Sequence, residues 1–334
     1  MDVDAFVAAH RAEWERLETL TRRRRLSGPE ADELVMLYQR AATHLSVVRS
    51  SSPDPALVGR LSTLVARARS AVSGAHVPAW RELARFFTVS FPAAVFRTWR
   101  WWVAVGVAFS LVSWVVGAWV AATPAVRATI AAPEQIRELT KPGGDFETYY
   151  SSAPASSFAF QVWTNNAWVA AGCLVLGVLL GVPVVWILLQ NALNVGIGGG
   201  LMASVGRLDV FFGLITPHGL LELTAVFVAA GYGLRLGWSV IDPGPRTRAA
   251  AVAAEGRAAA GVALGLVVVL LVSGVIEAFV TPSGLPTWAR IAIGVLAEAC
   301  FLAYVIVLGA RAVGAGQTGD LPDEDLADVL PTRG

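Results

Sequence analysis

Apolar residues fall into two regimes along this chain. In the first part they recur at three- and four-residue spacing between charges. Beyond it they run together in stretches of about 20, the length that crosses a bilayer. Phe6, Trp14, Leu17 and Leu20 predict a first helix from about Asp4 to Arg25, closing on Arg22-Arg23-Arg24-Arg25. Ser27-Gly28-Pro29-Glu30 has the form of a capping box, with Ser27 as cap and Glu30 reaching back. The helix after it carries Leu34, Leu37, Tyr38, Ala41, Ala42 and Leu45 on one face. Pro53-Asp54-Pro55 opens a third helix, capped by Asp54 with Pro55 in its first turn, and Leu57, Leu61, Leu64, Val65 and Ala68 form its apolar side. Residues 1–78 thus read as a cytosolic helical bundle. In residues 79–100, Trp80, Phe86, Phe87, Phe91, Phe96 and Trp99 alternate with Arg81, Arg85, Arg97 and Arg100, the pattern of an amphipathic helix lying in a membrane interface.

The long runs predict a membrane domain over 101–310 with about six spans: 102–122, 162–189 (kinked at Pro183), a glycine-rich 188–206, 220–236, 258–280 and 288–310. The fold class is therefore all-α, a polytopic membrane helix bundle with an N-terminal cytosolic helical domain. Gln190, Asn191 and Asn194 are expected to mark the turn into the glycine-rich span. Gly196, Gly198, Gly199 and Gly200, with Asn191 and Asn194, are read as helix-packing positions, since small residues let membrane helices approach closely.

Composition agrees with this picture and excludes a soluble enzyme. Apolar residues make up 55% of the chain and charged ones 15%, against roughly 25% charged in ordinary globular chains. Residues 1–100 hold 15 Arg and 10 Asp or Glu, while the stretch from Arg311 to Gly334 carries a net charge of −3. The positive-inside rule puts the basic head in the cytoplasm. The glycine-rich segment decides between five and six spans. Five would put the loop carrying Arg235, Arg246, Arg248 and Arg257 outside. Six return it and Arg311 to the cytoplasm and leave a loop over 123–161, net charge −1, outside, so six are preferred. Residues 311–334 read as a disordered acidic tail. An acidic N-terminus before a polar helix predicts no cleaved signal peptide. A single lysine, Lys141, against 25 arginines is the bias of a GC-rich bacterial genome, so the expected location is a bacterial plasma membrane, multi-pass, with both termini cytoplasmic.

Polar residues inside spans carry the candidate chemistry, because each costs roughly 2.5–3.5 kcal/mol at the bilayer centre. In the six-span arrangement Asn165, Asn166, His218, Glu222, Glu277 and Arg290 fall in the outer half and form a predicted polar cluster, with Arg290 as cation for the carboxylates. Thr216 is read as a helix cap and Pro217 as the first helical residue, with Gly219 following; Thr281-Pro282 closes the fifth span. His218 and Glu222, four apart, share a helix face. The cluster fits helix-to-helix glue, cation binding or proton relay; hydrolysis is disfavoured because His218 and Glu222 lack a third metal ligand. No catalytic or metal-binding residue and no cofactor is assigned: the chain has no H-E-x-x-H, G-x-S-x-G or P-loop motif.

Thr216-Pro217-His218-Gly219-Leu220-Leu221-Glu222-Leu223, Glu277-Ala278-Phe279-Val280-Thr281-Pro282 and Asn165-Asn166 together resemble the stage II sporulation protein M family, over roughly residues 5–310. Trp14-Glu15-Arg16-Leu17-Glu18 and Glu33-Leu34-Val35-Met36-Leu37-Tyr38-Gln39-Arg40 look like the cytosolic region of its longer actinobacterial members. The sporulation member is similar to a scaffold that positions cell-wall-degrading partners at a septal membrane. This chain departs from it in its long N-terminal domain and sixth span. The resemblance implies a non-enzymatic scaffold whose partners are the bilayer and other cell-envelope membrane proteins, with no nucleic acid; a homo-oligomer is compatible with it. The competing expectation is a small-solute or ion transporter, or a transporter subunit, working through the His/Glu/Arg cluster.

Overall fold

The computed structural model describes residues 3–23, 26–51, 54–72, 79–149 and 154–319. Arg24, Arg25 and residues 320–334, on which the basic-run and tail expectations partly rest, lie outside the described residues. The chain divides into two compact units, Met1–Glu82 and Leu83–Gly334. Among the described residues every regular element is helical.

The first unit packs α1 (Val3–Thr21), α2 (Gly28–Ser51) and α3 (Pro55–Val72) around one core. Trp14, Leu17 and Leu20 meet Leu34, Leu37, Ala41, Leu45 and Val48 of α2 and Leu57, Leu61, Leu64 and Ala68 of α3. These are the positions that helical spacing selects, and each large one contributes roughly 1.5–3 kcal/mol by leaving water. The connections follow local rules. Asp54 Oδ1 accepts the Ala56 N–H at 2.8 Å, capping α3. The Ser27 N–H and O–H both donate to Glu30 Oε2 at 2.9 Å. Half of the basic run is tied down within the unit, Arg22 to Glu18 at 2.6 Å and Arg23 to Glu30 at 2.5 Å.

The Ser27 hydrogen bonds, backbone first, hold the Glu30 carboxyl below its ordinary range, with a smaller contribution from Arg23. A depressed carboxylate contributes stability that is present above its unfolded pKa and lost as pH falls through the folded value. Amide-exchange protection in the first turn of α2, corrected for intrinsic pH dependence, is expected to hold from neutral pH down to about 4.3 and to decline below it. Glu30→Gln removes that dependence; an unchanged decline in the variant would reject the assignment.

The second unit opens with the end of α4 (Ala79–Arg85), a π-helical turn (Phe86–Ser90) and α5 (Phe91–Arg97). Phe91, Ala93, Ala94 and Val95 are buried. The Phe91 ring occupies the gap at Gly265, and Pro92 and Phe96 lie against Gly309. The 79–100 segment is thus broken at Thr98, and its second half is inserted into the helix bundle.

Six long helices follow: α6 (Trp99–Ala122), α10 (Ala155–Leu176), α11 (Val182–Ser204), α12 (Leu208–Ile241), α13 (Arg248–Val275, prolonged by a π-helical turn Ile276–Val280) and α14 (Thr287–Gly314). All but α10 are long and apolar enough to cross a membrane; α10 has 22 residues but carries Gln161, Asn165 and Asn166. Their outer surfaces reverse the soluble pattern. Trp114, Trp119, Trp186, Leu264, Leu271 and Leu296 are exposed, which suits lipid. The protein is a multi-pass membrane protein built as an all-α helical bundle.

Between α6 and α10 lie three short helices, α7 (Pro124–Ile130), α8 (Pro133–Thr140) and α9 (Asp145–Thr148). Arg127 folds back to donate to the carbonyls of Val120 and Ala121 at 2.8 and 2.6 Å, satisfying the last turn of α6. Arg207, at the α11–α12 connection, donates to the Thr140 carbonyl at 2.6 Å and pairs with Glu147. Phe146 stacks on Phe211 at 5.7 Å. The loop is therefore a folded platform.

Two expected boundaries are corrected. The turn between the second and third long helices lies at Gly177–Gly181, not at Gln190–Asn194. Leu180 and Gly181 have φ of 57° and 74°, and Pro183 sits in the first turn of α11 instead of kinking a longer helix. Asn191 is satisfied within its own helix by the Ile187 carbonyl at 2.8 Å, and Asn194 is exposed; neither marks a turn or bonds a neighbouring helix. The second correction concerns α12, which begins at Leu208, so that Thr216 and Pro217 lie within it and cap nothing. Membrane helices tolerate an internal proline because neighbours cover the weakened turn, and here Gly294 of α14 packs directly on the Pro217 backbone.

The glycines of α11 do pack helices. Gly196 and Gly200 lie against Ser113, Val116, Gly117 and Val120 of α6, while Gly198 and Gly199 face the Phe211 ring of α12. The Ser113 hydroxyl adds a bond to the Ala192 carbonyl at 3.1 Å. Just past the end of α10, Gly177 meets Gly233 and Gly237 of α12.

Candidate functional site

α12 contacts every other long helix of the unit, and it carries His218 and Glu222 one turn apart, as the four-residue spacing requires. The end of α13 supplies Glu277. His218 Nε2 lies 3.8 Å from Glu277 Oε1, and one ligand atom from each of His218, Glu222 and Glu277 falls within 4.8 Å of the others. His218 and Glu277 are 6% and 4% exposed, and Glu222 is partly buried.

The end of α13 is wound as a π-helix, closed by the Thr281 N–H on the Ile276 carbonyl at 3.1 Å. Such turns interrupt α-helices with an extra residue, frequently at functional sites. Here the turn includes Glu277 and precedes the fully buried Thr281. Thr281 Oγ1 is 3.2 Å from His218 Nδ1. Asn166 of α10 and Ser273 of α13 stand beside the Glu222 carboxylate. The Ser273 hydroxyl donates to the His218 carbonyl oxygen at 3.1 Å. Tyr149, just past α9, stands near the same carboxylates. Burial raises its phenol above the ordinary range, and Glu277 and Glu222 add to the effect. The cluster therefore lies close to the platform.

Two of the expected cluster members, Asn165 and Arg290, stand elsewhere. Asn165 is exposed on α10, because adjacent helical residues point about 100° apart and only Asn166 can face the site. Arg290 is not the counter-ion of the carboxylates. Its guanidinium donates to the Thr281 carbonyl at 2.6 Å and to Thr287 Oγ1 at 3.1 Å, closing the α13–α14 connection. Pro282 is exposed and ends the helix. Gly219 is buried, and an added Cβ there would meet Ile215 of the same helix at 3.0 Å. Among the described residues no Arg or Lys ion pair with Glu222 or Glu277 is present. Glu277 Oε2 is buried without a hydrogen-bond partner.

The sequence reading missed Ser273, although its position one turn before Glu277 was the available signal. It also missed one carboxylate, Glu255, and left a second, Glu298 of the sixth span, without a role. Glu298 of α14 accepts the Thr224 hydroxyl at 2.9 Å. Glu255 of α13, 4% exposed, lies 3.2 Å from Arg97, 3.0 Å from Arg235 and 3.8 Å from Arg246. Its signal was a lone carboxylate among the arginines before the fifth apolar run.

The comparisons with known proteins concern both units. Residues 4–74 match a family described as a domain of unknown function (DUF8413). No curated protein and no solved structure matches the chain. Residues 106–282, which hold the cluster and both span motifs, match the family Stage II sporulation protein M. That match covers just over half of the chain, and the protein belongs to the stage II sporulation protein M family.

Proposed function

We propose that this protein is a non-enzymatic scaffold of the bacterial plasma membrane that positions other cell-envelope membrane proteins. The observation that carries the reading is the folded platform α7–α9, which Arg207, Arg127 and Phe146 fix to the ends of the membrane helices. A slack connection would serve a span; an anchored surface suits docking. The three-helix unit, with its own core, supplies a second surface. Short connections join α10 to α11 and α12 to α14 in sequence, so the six helices run alternately up and down. Arg97, Arg100, Arg235, Arg246, Arg248 and Arg311 then gather at the end opposite the platform, which supports a cytoplasmic position for that end and for both termini.

A second reading, cation or solute transport, is favoured by one observation, the buried and unpartnered Glu277 Oε2. Two experiments separate these readings. In a background lacking Cys173 and Cys300, cysteines at Glu134, Thr247 and Gln317 are expected to react with an impermeant reagent from outside intact cells at 134 only. Labelling at 247 would overturn the orientation and the scaffold geometry built on it. Second, Arg207→Gln is expected to abolish the cross-links that the wild-type chain forms with envelope proteins, while Glu222→Gln preserves them. If Glu222→Gln instead abolishes cation- or proton-coupled flux in proteoliposomes and Arg207→Gln leaves the cross-links intact, transport is the better account.

A further inference from the structure

The geometry points to a transition-metal site at His218, Glu222 and Glu277, taking a first-row divalent cation such as zinc, cobalt or manganese. The inference goes beyond the scaffold reading and does not depend on it.

Three features of the cluster converge on a dication. The first is the donor set. One imidazole nitrogen and two carboxylates approach within 4.8 Å of one another, and a closed site brings such donors to about 2.0–2.2 Å from the metal. The 3.8 Å between His218 Nε2 and Glu277 Oε1 needs only side-chain adjustment to reach the roughly 3.3 Å that tetrahedral bonds of that length impose. An imidazole donor selects first-row transition metals over magnesium and calcium, which take oxygen.

The second is charge. Two carboxylates share a membrane-embedded pocket, and the arginine placed to neutralise them is engaged with Thr281 and Thr287. A dication bound by two carboxylates and a neutral imidazole gives a site of zero net charge, the condition under which buried ions are tolerated. Glu277 Oε2, buried in the cluster, supplies a lone pair that no donor among the described residues uses.

The third is the outer layer. Thr281 Oγ1 lies 3.2 Å from His218 Nδ1, and the metal-binding tautomer, in which Nδ1–H donates to that hydroxyl, places the Nε2 lone pair on the Glu277 side. The Ser273 hydroxyl donates to the His218 carbonyl and fixes the backbone beneath the imidazole, and Asn166 stands beside Glu222. Metal ligands are held in this way by second hydrogen bonds. The site would pin α12 to the π-turn of α13.

The test uses the full chain, purified in detergent with a tag free of histidine and washed with a weak chelator. Elemental analysis is expected to find about one transition-metal ion per chain at this site. Glu277→Gln and His218→Gln should each lose it, and Thr281→Val should weaken affinity ~10–100-fold. The His10, Glu13 and His44 group of the first unit also has metal-ligand spacing, so His44→Gln is the control and should retain the ion. Cobalt titrated into the metal-free wild-type chain should give saturable visible absorption of low-coordinate N/O ligation, a readout that needs no variant. Absence of saturable cobalt, zinc and manganese binding by the wild-type chain would overturn the proposal. So would an ion retained in both cluster variants and lost in His44→Gln.

Discussion

Replacing Gly233 with alanine is expected to destabilise the membrane unit by about 3 kcal/mol, the upper end of what overpacking costs a packed core. A Cβ there would lie 2.0 Å from the Cys173 carbonyl oxygen and 2.9 Å from its carbon. Both are backbone atoms of α10, so no side chain can rotate aside. The two helices would have to separate, which also opens the contact where Gly177 meets Gly233 and Gly237. Membrane helices gain little from expelling lipid, and close packing is what holds them together. Gly256 of α13 is the matched control, with nothing within 4 Å of its added Cβ. Alanine there should stabilise by ~0.4–1 kcal/mol, through helix propensity and a less flexible unfolded chain. Denaturant titration of the purified variants in mixed micelles reads both signs. Equal effects at 233 and 256 would mean that the α10–α12 contact is not tight.

Glu255→Gln is the second large effect, expected to cost about 3 kcal/mol. The carboxylate is 4% exposed and is the common partner of Arg97, Arg235 and Arg246. Removing its charge leaves three partly exposed guanidinium groups in mutual repulsion, and their access to solvent keeps the loss at the lower end of the range for broken buried pairs. Arg246→Gln removes the most exposed and most distant partner and should cost under about 1 kcal/mol. The Glu255→Gln and Arg235→Gln double variant should fall short of the sum of its singles by ~0.5–3 kcal/mol. Strict additivity would show that the arginines are held by solvent and lipid instead of by Glu255.

The fold class was readable in the sequence because both of its regimes are one-dimensional signals. Helical spacing selected Trp14, Leu17, Leu20, Leu34 and Leu37, and the same residues form the first core. Run length found the apolar helices. Boundaries were harder where one cue had two meanings. Pro183 after an apolar run reads equally as a kink or a start, and the positive φ of Leu180 and Gly181 decided for a start. Pro217 posed the opposite problem, reading as a start while neighbouring helices hold it inside α12. In the site, the pairing of His218 with Glu222 follows from their spacing, but the approach of Glu277 depends on how α13 ends. The role of Arg290 could not be read at all. A cation close in sequence to carboxylates has an open carbonyl as an alternative partner, and only three dimensions choose between them.

The π-turn at Ile276–Val280 makes this region sensitive to residue count as well as to residue type. An α-helix advances about 100° per residue, and the π-turn accommodates one residue more than an α-turn would. Deleting one of residues 276–280 would let the segment relax into ordinary α-helix and leave Thr281 near its present azimuth, because the wide turn had absorbed the surplus residue. Inserting one more residue would instead swing Thr281 and the start of α14 around the axis by about 100° and away from His218. This end of α13 is therefore expected to accept apolar substitutions and loss of the surplus residue, and to reject a second insertion.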